Sequence, residues 1–300
     1  MQLTSEVKKY RFDFLKSRYI WLGLSIVYLV VGVVAYIALG GFEYHINFTG
    51  GAEVRLSFEK QLDIAKLRAA VSGAGWKDAV IQETGSTQRD FALRIGGSPD
   101  AKLEQNVTTI VKDAIPENKV TITGVSQVGA EVRSETTWNA TVAIILAMLV
   151  LLLYIAARYE FRFGLGAFAS LIHDILAILT FLVLTREQFS LDVLAAILAV
   201  LGYSVHDSIV VFSRIRENLK ALKNMSEYDI VNLSINQTLR RTLLTSFSTL
   251  LSALALFLLG GETLRGFSLI MIVGIIVGTY SSIYIASPVM LAVHTKKGGE

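Results

Sequence analysis

Apolar residues are laid out along this chain in two ways. Residues 19–39, 140–157, 163–184, 191–212, 243–259 and 267–293 are near-continuous apolar runs. Each is about 17 residues or longer, enough for a helix to cross a hydrocarbon layer of about 30 Å. Residues 41–137 are different, with alternating apolar positions and dispersed charge. Period two predicts a strand over 52–58, with Val54, Leu56 and Phe58 on one side. The spacing of Ile64, Leu67, Ala70 and Val71 predicts a helix over 63–74, stopped by Gly73 and Gly75. Residues 79–83 and 91–95 read as strands joined by a turn at 85–89. A second helix over 101–114 lies between Pro99 and Pro116, and 119–125 reads as a last strand.

The order strand–helix–strand–strand–helix–strand suits a ferredoxin-like sandwich. The expected fold class is an α-helical polytopic membrane protein with six transmembrane helices. A small α+β ferredoxin-like domain lies between its first and second helices. The expected organisation is an N-tail at 1–18, a first helix at 19–40 and the α+β domain at 41–137. A five-helix membrane domain at 138–295 and a C-tail at 296–300 follow.

Charge sets the expected topology. Lys8, Lys9, Arg11, Lys16 and Arg18 outnumber Glu6 and Asp13 ahead of the first run. That flank places the N-terminus in the cytoplasm. The run is too long for a cleavable signal peptide, so an uncleaved helix is expected. Arg158 and Arg162 fall in one connection. Arg214, Arg216, Lys220, Lys223, Arg240 and Arg241 fall in another, and Lys296 and Lys297 follow the last run. The opposite connections, 185–190 and 260–266, hold only Arg186 and Arg265. Both termini are therefore expected in the cytoplasm and residues 41–137 outside it.

Composition agrees with a membrane protein: 53% of the 300 residues are hydrophobic and mean hydropathy is +0.53. The net charge of +3 is small and sits beside the apolar runs, so it marks topology and no nucleic-acid surface. The absence of Cys excludes disulfides, thiol catalysis and thiolate metal sites. Residues 41–137 carry no clustered His, Gly-rich phosphate loop or paired-carboxylate motif. They read as a binding or coupling module, with no enzyme activity and no cofactor expected.

The informative polar groups lie inside the apolar runs. An ionised Asp207 at the middle of a lipid-embedded helix costs roughly 2.5–3.5 kcal/mol. Such a carboxyl faces protein or water, has a partner, or is protonated. Tyr203, Ser204, Asp207 and Ser208 share one helical face. His173-Asp174 and His206-Asp207 form two His-Asp pairs on successive runs, which raises a metal site. Neighbouring residues on a helix diverge by about 100°, so one pair does not chelate as i, i+4 ligands do. Two intramembrane aspartates also fit a protease, but the Gly-x-Gly-Asp setting is missing around Asp207. The expected partner is Arg241, which heads a polar stripe of Thr245, Ser248, Thr249 and Ser252. A carboxyl whose distance from an arginine changes can exchange protons. Gly274, Gly278 and Ser282 in the last run, and Gly164, Gly166 and Ser170 in the third, read as close-packing positions.

Taken together, specific motifs resemble the SecF family, the smaller partners of SecD in bacterial protein export and kin of the RND transporters. They are Phe48-Thr49-Gly50-Gly51, Gly202-Tyr203-Ser204 with Asp207, Arg214-Ile215-Arg216-Glu217-Asn218, Arg241-Thr242-Leu243-Leu244-Thr245-Ser246, and the segment from Gly260 to Gly266. The resemblance covers nearly the whole chain. It implies an accessory subunit coupling proton-motive force to preprotein translocation, with Asp207 and Arg241 in the proton path. Thr245, Ser204, Asp174 and His206 are further candidates. It implies a SecD-like subunit, a SecYEG-type translocon, unfolded preprotein and membrane lipid as partners, and the inner membrane as location. The chain departs from the family at Asn47, where Asp is usual, and at His206, where Asn is usual. Val125-Ser126-Gln127-Val128-Gly129 is a reduced form of a Val-Gly-Pro-x-Val-Gly stretch. Two other readings remain: a passive scaffold of the translocon, and half of an RND-like exporter of small molecules or lipids.

Overall fold

The computed structural model describes residues 11–76, 79–84, 87–96 and 102–294. The expected residues Lys8, Lys9, Gly85, Pro99, Lys296 and Lys297, and the tail 296–300, lie outside them. The chain forms two compact units: one is Tyr44–Val142, the other combines the residues up to Glu43 with those from Ala143 onward.

In Tyr44–Val142, a short helix α2 (Ile46–Thr49; α1 belongs to the other unit) leads into β1 (Gly51–Phe58). Then come α3 (Ile64–Gly73), β2 (Val80–Glu83), β3 (Asp90–Ile95), α4 (Leu103–Ala114) and β4 (Val120–Val128). Asp63 caps α3 by accepting from the Ala65 N–H at 2.9 Å. The strands form one antiparallel sheet in the order β2-β3-β1-β4. Val54, Leu56 and Phe58 point to one face, as their alternation predicts. They pack with Phe91 and Leu93 of β3, Leu67 and Val71 of α3 and Val107 and Val111 of α4.

The opposite face of β1 holds a carboxyl, Glu53, only 4% exposed. Its register partner on β3 is Arg94. Arg94 Nε lies 3.4 Å, and His45 Nε2 3.3 Å, from Oε2, while Arg55 Nε donates to Oε1 at 3.2 Å. Burial pushes the Glu53 carboxyl up. Hydrogen bonds and charge from His45 and Arg55 outweigh burial and hold it at about 2.

Helix α5 (Ala130–Arg158) begins in the sheet unit and passes into the other unit at Ala143; that unit also holds α1 (Arg18–Ala38), α6 (Phe161–Thr185), α7 (Leu191–Ala221), α8 (Glu227–Leu259) and α9 (Gly261–Ser281). A π-helical turn, Ser282–Ala286, then leads to α10 (Ser287–His294). Among the described residues, six segments are long and apolar enough to cross a membrane. Those of α6, α7 and α9–α10 are half buried in the protein, whereas α1, α5 and α8 mostly face outward.

Three features depart from the expected boundaries. First, α8 begins 16 residues before its apolar run, because Ser226 caps it and Ile230, Val231 and Ile235 bury there. Second, residues 11–15 are tied down. Asn236 accepts from the Arg11 and Phe12 N–H groups at 3.1 and 3.0 Å. Asn232 accepts from those of Phe14 and Leu15 at 3.0 and 3.3 Å. Third, the last run is interrupted by the π turn. Pro288 has no N–H to donate, and its ring collides with the carbonyl four residues back. The helix opens by one residue there, and the Ser287 hydroxyl donates to the Ser282 carbonyl at 3.0 Å.

Candidate functional site

The middle of the helical unit is built on close approach of helices. A Cβ on Gly278 would stand 3.1 Å from Ser204 Cβ, and one on Gly274 would stand 2.2 Å from Val200 Cγ2. One on Gly166 would stand 2.5 Å from the Ala286 carbonyl oxygen. Only hydrogen fits at Gly274 and Gly166, and a Cβ at Gly278 would press on Ser204, so α9 and the π turn lie hard against α7 and α6.

Two carboxyls are enclosed there. Asp207 of α7 is 5% exposed and Asp174 of α6 is 0% exposed. Thr242 of α8 donates to Asp207 Oδ1 at 2.7 Å, and Ser282 donates to Oδ2 at 2.6 Å. On Asp174, Ser204 of α7 and Ser281 of α9 both donate to Oδ2, at 2.5 and 2.9 Å. His173 Nδ1 lies 3.1 Å from Oδ1. The consecutive residues Ser281 and Ser282, where α9 becomes the π turn, thus each hold one of the two aspartates. The π geometry matters here because it sets the rotation between neighbouring side chains.

Arg241 does not partner Asp207. It lies on the exposed side of α8, and no hydrogen bond or ion pair joins the two among the described residues. Thr242 takes the inward position, and the preceding residue is turned away by about 100°. Thr245 is exposed too, its hydroxyl donating back to the Arg241 carbonyl at 3.0 Å and the Thr242 carbonyl at 2.9 Å. Tyr203 donates to Ser246 at 2.8 Å, and Ser246 meets Thr279 at 2.7 Å. His206 is exposed. Asn47 lies in α2 with its side chain against His45. The residues that sequence reasoning missed as hydrogen-bonding partners are Thr242, Ser281, His173 and Ser282, the last of which it read only as a close-packing position. Thr242 and Ser246 are spaced four apart, as are the outward hydroxyls, so spacing alone did not separate the two faces. Among the described residues, no three His, Asp or Glu side chains cluster as a metal site would require.

Residues 106–296 match the family described as protein export membrane protein SecD/SecF, C-terminal. The chain is 40% identical over 280 residues to the protein translocase subunit SecF of Calditerrivibrio nitroreducens, covering 92% of this chain and 91% of the relative. It is 39% identical over 272 residues to the SecF of Pseudomonas aeruginosa, covering 89% and 88%. The crystal structure of SecDF, a translocon-associated membrane protein from Thermus thermophilus, superposes with a TM-score of 0.87 at 34% identity. That match covers 98% of this chain but spans only 40% of the SecDF chain.

Proposed function

The chain belongs to the SecD/SecF protein-export family, and on that premise we propose that it is an accessory subunit of the Sec machinery that uses proton movement to assist preprotein translocation. The observation that carries this reading is the Asp207 carboxyl, buried on α7 and gripped by hydroxyls from α8 and the π turn. Hydroxyls satisfy either protonation state, since each can donate to a carboxylate or accept from an acid. Loading and unloading Asp207 therefore changes the direction and strength of the hydrogen bonds that tie three helical elements together. One charge moved through 100 mV supplies about 2.3 kcal/mol, enough to shift a two-state balance about fiftyfold.

The sheet unit, with its β-α-β-β-α-β order and strand order β2-β3-β1-β4, fits a ferredoxin-like domain. The basic residues at alternate connections support its location outside the cytoplasm, both termini inside, in the inner membrane. A SecD-like subunit is the partner, because the SecDF chain holds more than this chain spans. The SecYEG-type translocon and an unfolded preprotein complete the assembly. Arg241 then serves at the partner interface, where a carboxylate of the other subunit meets it.

The test is cation flux in vesicles holding this chain and its SecD partner with an unfolded substrate. Asp207→Asn is expected to lower pH-gradient-driven flux at least tenfold while the complex stays assembled. Unchanged flux refutes coupling through Asp207. Loss of the complex itself assigns Asp207 to assembly.

A further inference from the structure

His173 sits in a hydrogen-bond chain whose protons can be counted. The Tyr280 hydroxyl donates to the Trp21 carbonyl of α1 at 2.7 Å. Ser25 of α1 and Tyr280 are 2.7 Å apart, and His173 Nε2 lies 3.1 Å from Ser25 Oγ. His173 Nδ1 lies 3.1 Å from Asp174 Oδ1. A hydroxyl has one proton to give. With the Tyr280 proton directed at Trp21, Ser25 must donate to Tyr280, and His173 must donate to Ser25 through Nε2–H. Nδ1 and Oδ1 then face one another across a hydrogen-bond distance and need a proton between them. Either His173 is an imidazolium beside a carboxylate, or it is neutral beside a protonated Asp174. Both descriptions give a pair with no net charge, which is what burial demands of a site this enclosed.

We propose that His173 and Asp174 form a second proton-binding site, holding one shared proton whose presence sets the direction of the hydrogen-bond chain from Asp174 to α1. When that proton leaves to water as hydronium, the bond broken is Nδ1–H or Oδ1–H. Asp174 remains as carboxylate and His173 as the neutral ring, with its one proton moved to Nδ1. Nε2 becomes an acceptor. Ser25 turns to donate to it, Tyr280 turns to donate to Ser25, and the Trp21 carbonyl loses the Tyr280 donor. One proton thus switches the tie between α9 and α1.

The same site meets the Asp207 site at one point of the backbone. Ser281 has two acceptors, Asp174 Oδ2 at 2.9 Å and the Gly278 carbonyl at 3.1 Å. Ser282 likewise has Asp207 Oδ2 at 2.6 Å and the Thr279 carbonyl at 3.0 Å. A charge change at either aspartate therefore pulls on one two-residue segment. Among the described residues, the titratable neighbours are Tyr280 of α9, whose ring is 5.8 Å from that of His173, then Tyr284 of the π turn, which stacks on Tyr280, and Tyr28 of α1, which donates to the Ala177 carbonyl one turn along α6. Among the described residues no Lys, Arg or Glu makes an ion pair with Asp174. This deepens the proton-coupling reading and rests on it for its consequence in export, but not for the proton count itself.

The test is the nitrogen-15 spectrum of His173 in the full chain, reconstituted with its SecD partner in lipid vesicles at neutral pH. The His173 signals are assigned by their loss in His173→Gln. In the wild type, Nε2 is expected to be protonated and Nδ1 to be protonated or to share a proton. Tyr280→Phe removes the acceptor of the Ser25 proton, so Ser25 should turn to Nε2 and His173 should become a neutral Nδ1–H ring. A neutral ring with bare Nε2 in the wild type overturns the proposal, as does a Tyr280→Phe spectrum identical to wild type. Flux separates this site from the Asp207 reading. Asp174→Asn is expected to lower flux at least tenfold. Normal flux in Asp174→Asn with flux lost in Asp207→Asn overturns the second site alone. Normal flux in Asp207→Asn removes the first reading while the spectrum still decides the proton count.

Discussion

At the scale of single residues, two buried carboxyls set in contrasting surroundings show what a side chain's neighbours decide. Glu53 is ringed by His45, Arg55 and Arg94, and its carboxyl is held at about 2, below the ordinary value of 4.5. A depressed carboxyl contributes its stability fully above the unfolded value and loses it as pH falls through the folded one. The sheet unit is therefore expected to weaken between about pH 4.5 and pH 2. Amide exchange of β1 and β3 in the full chain measures this, and Glu53→Gln should flatten the response. At neutral pH that substitution removes the carboxylate charge that faces His45, Arg55 and Arg94 and is expected to cost about 3 kcal/mol. Exchange in Glu53→Gln as slow as wild type would refute that role. Asp207, by contrast, has only hydroxyls as hydrogen-bond partners among the described residues. Sequence reasoning found it from its depth in an apolar run, which is a one-dimensional property. It assigned the wrong partner, because Arg241 and Thr242 are adjacent and only packing decides which of them faces inward.

At the scale of elements, periodicity missed the one-turn helix α2 but predicted the four strands among the described residues and the helices α3 and α4 to within a few residues. Each of these has one buried face, and burial writes its period into the sequence. The long helices were legible as apolar runs but not as elements, since a run records lipid and protein contact alike. Hence α8 was read from its apolar half, and its amphipathic start at Ser226 and Glu227 was missed. The π turn has a signal in Pro288, but its consequence depends on α6 and α7, which fix the helix on both sides of it. Glycine spacing was the better guide at Gly166, Gly274 and Gly278, but not at Gly164, where an added Cβ would meet nothing within 4 Å. Gly274→Ala would set a methyl 2.2 Å from Val200 Cγ2, with Val200 Cβ only 3.0 Å away. Valine is stiff at χ1 and cannot swing aside freely. The substitution is expected to destabilise the α7–α9 contact by about 1–3 kcal/mol. Adding Val200→Ala should recover at least half of that loss, read as the thermal midpoint of the purified protein. A double mutant no more stable than Gly274→Ala alone would show that the two helices do not meet there.

At the scale of the whole molecule, the outward face of α8 does not suit a helix surrounded by lipid on that side. Arg241, Thr245, Ser248 and Ser252 are exposed, in a stripe flanked by Leu244, Phe247 and Leu251. The hydroxyls of Thr245, Ser248, Thr249 and Ser252 donate back to carbonyls of their own helix, so lipid would tolerate them. Arg241 has no such resource, and a guanidinium in hydrocarbon carries a cost of roughly 2.5–3.5 kcal/mol at a helix centre. Small hydroxylated residues also let another helix approach closely. Both properties are explained if the SecD-like partner packs here and brings an acidic group to Arg241. The chain has no native cysteine, so an introduced one reports from a single place. Ser248→Cys carrying a benzophenone is expected to form a covalent adduct with the partner on illumination of the assembled complex. Leu149→Cys on the exposed side of α5, treated alike, is expected to label lipid alone. Arg241→Gln should weaken the adduct at position 248 without affecting the fold of the free chain, because the Arg241 side chain is exposed and makes no hydrogen bond or ion pair among the described residues. Lipid labelling from position 248, with the complex intact, would move the interface to another helix and leave Arg241 as a charge at the membrane edge.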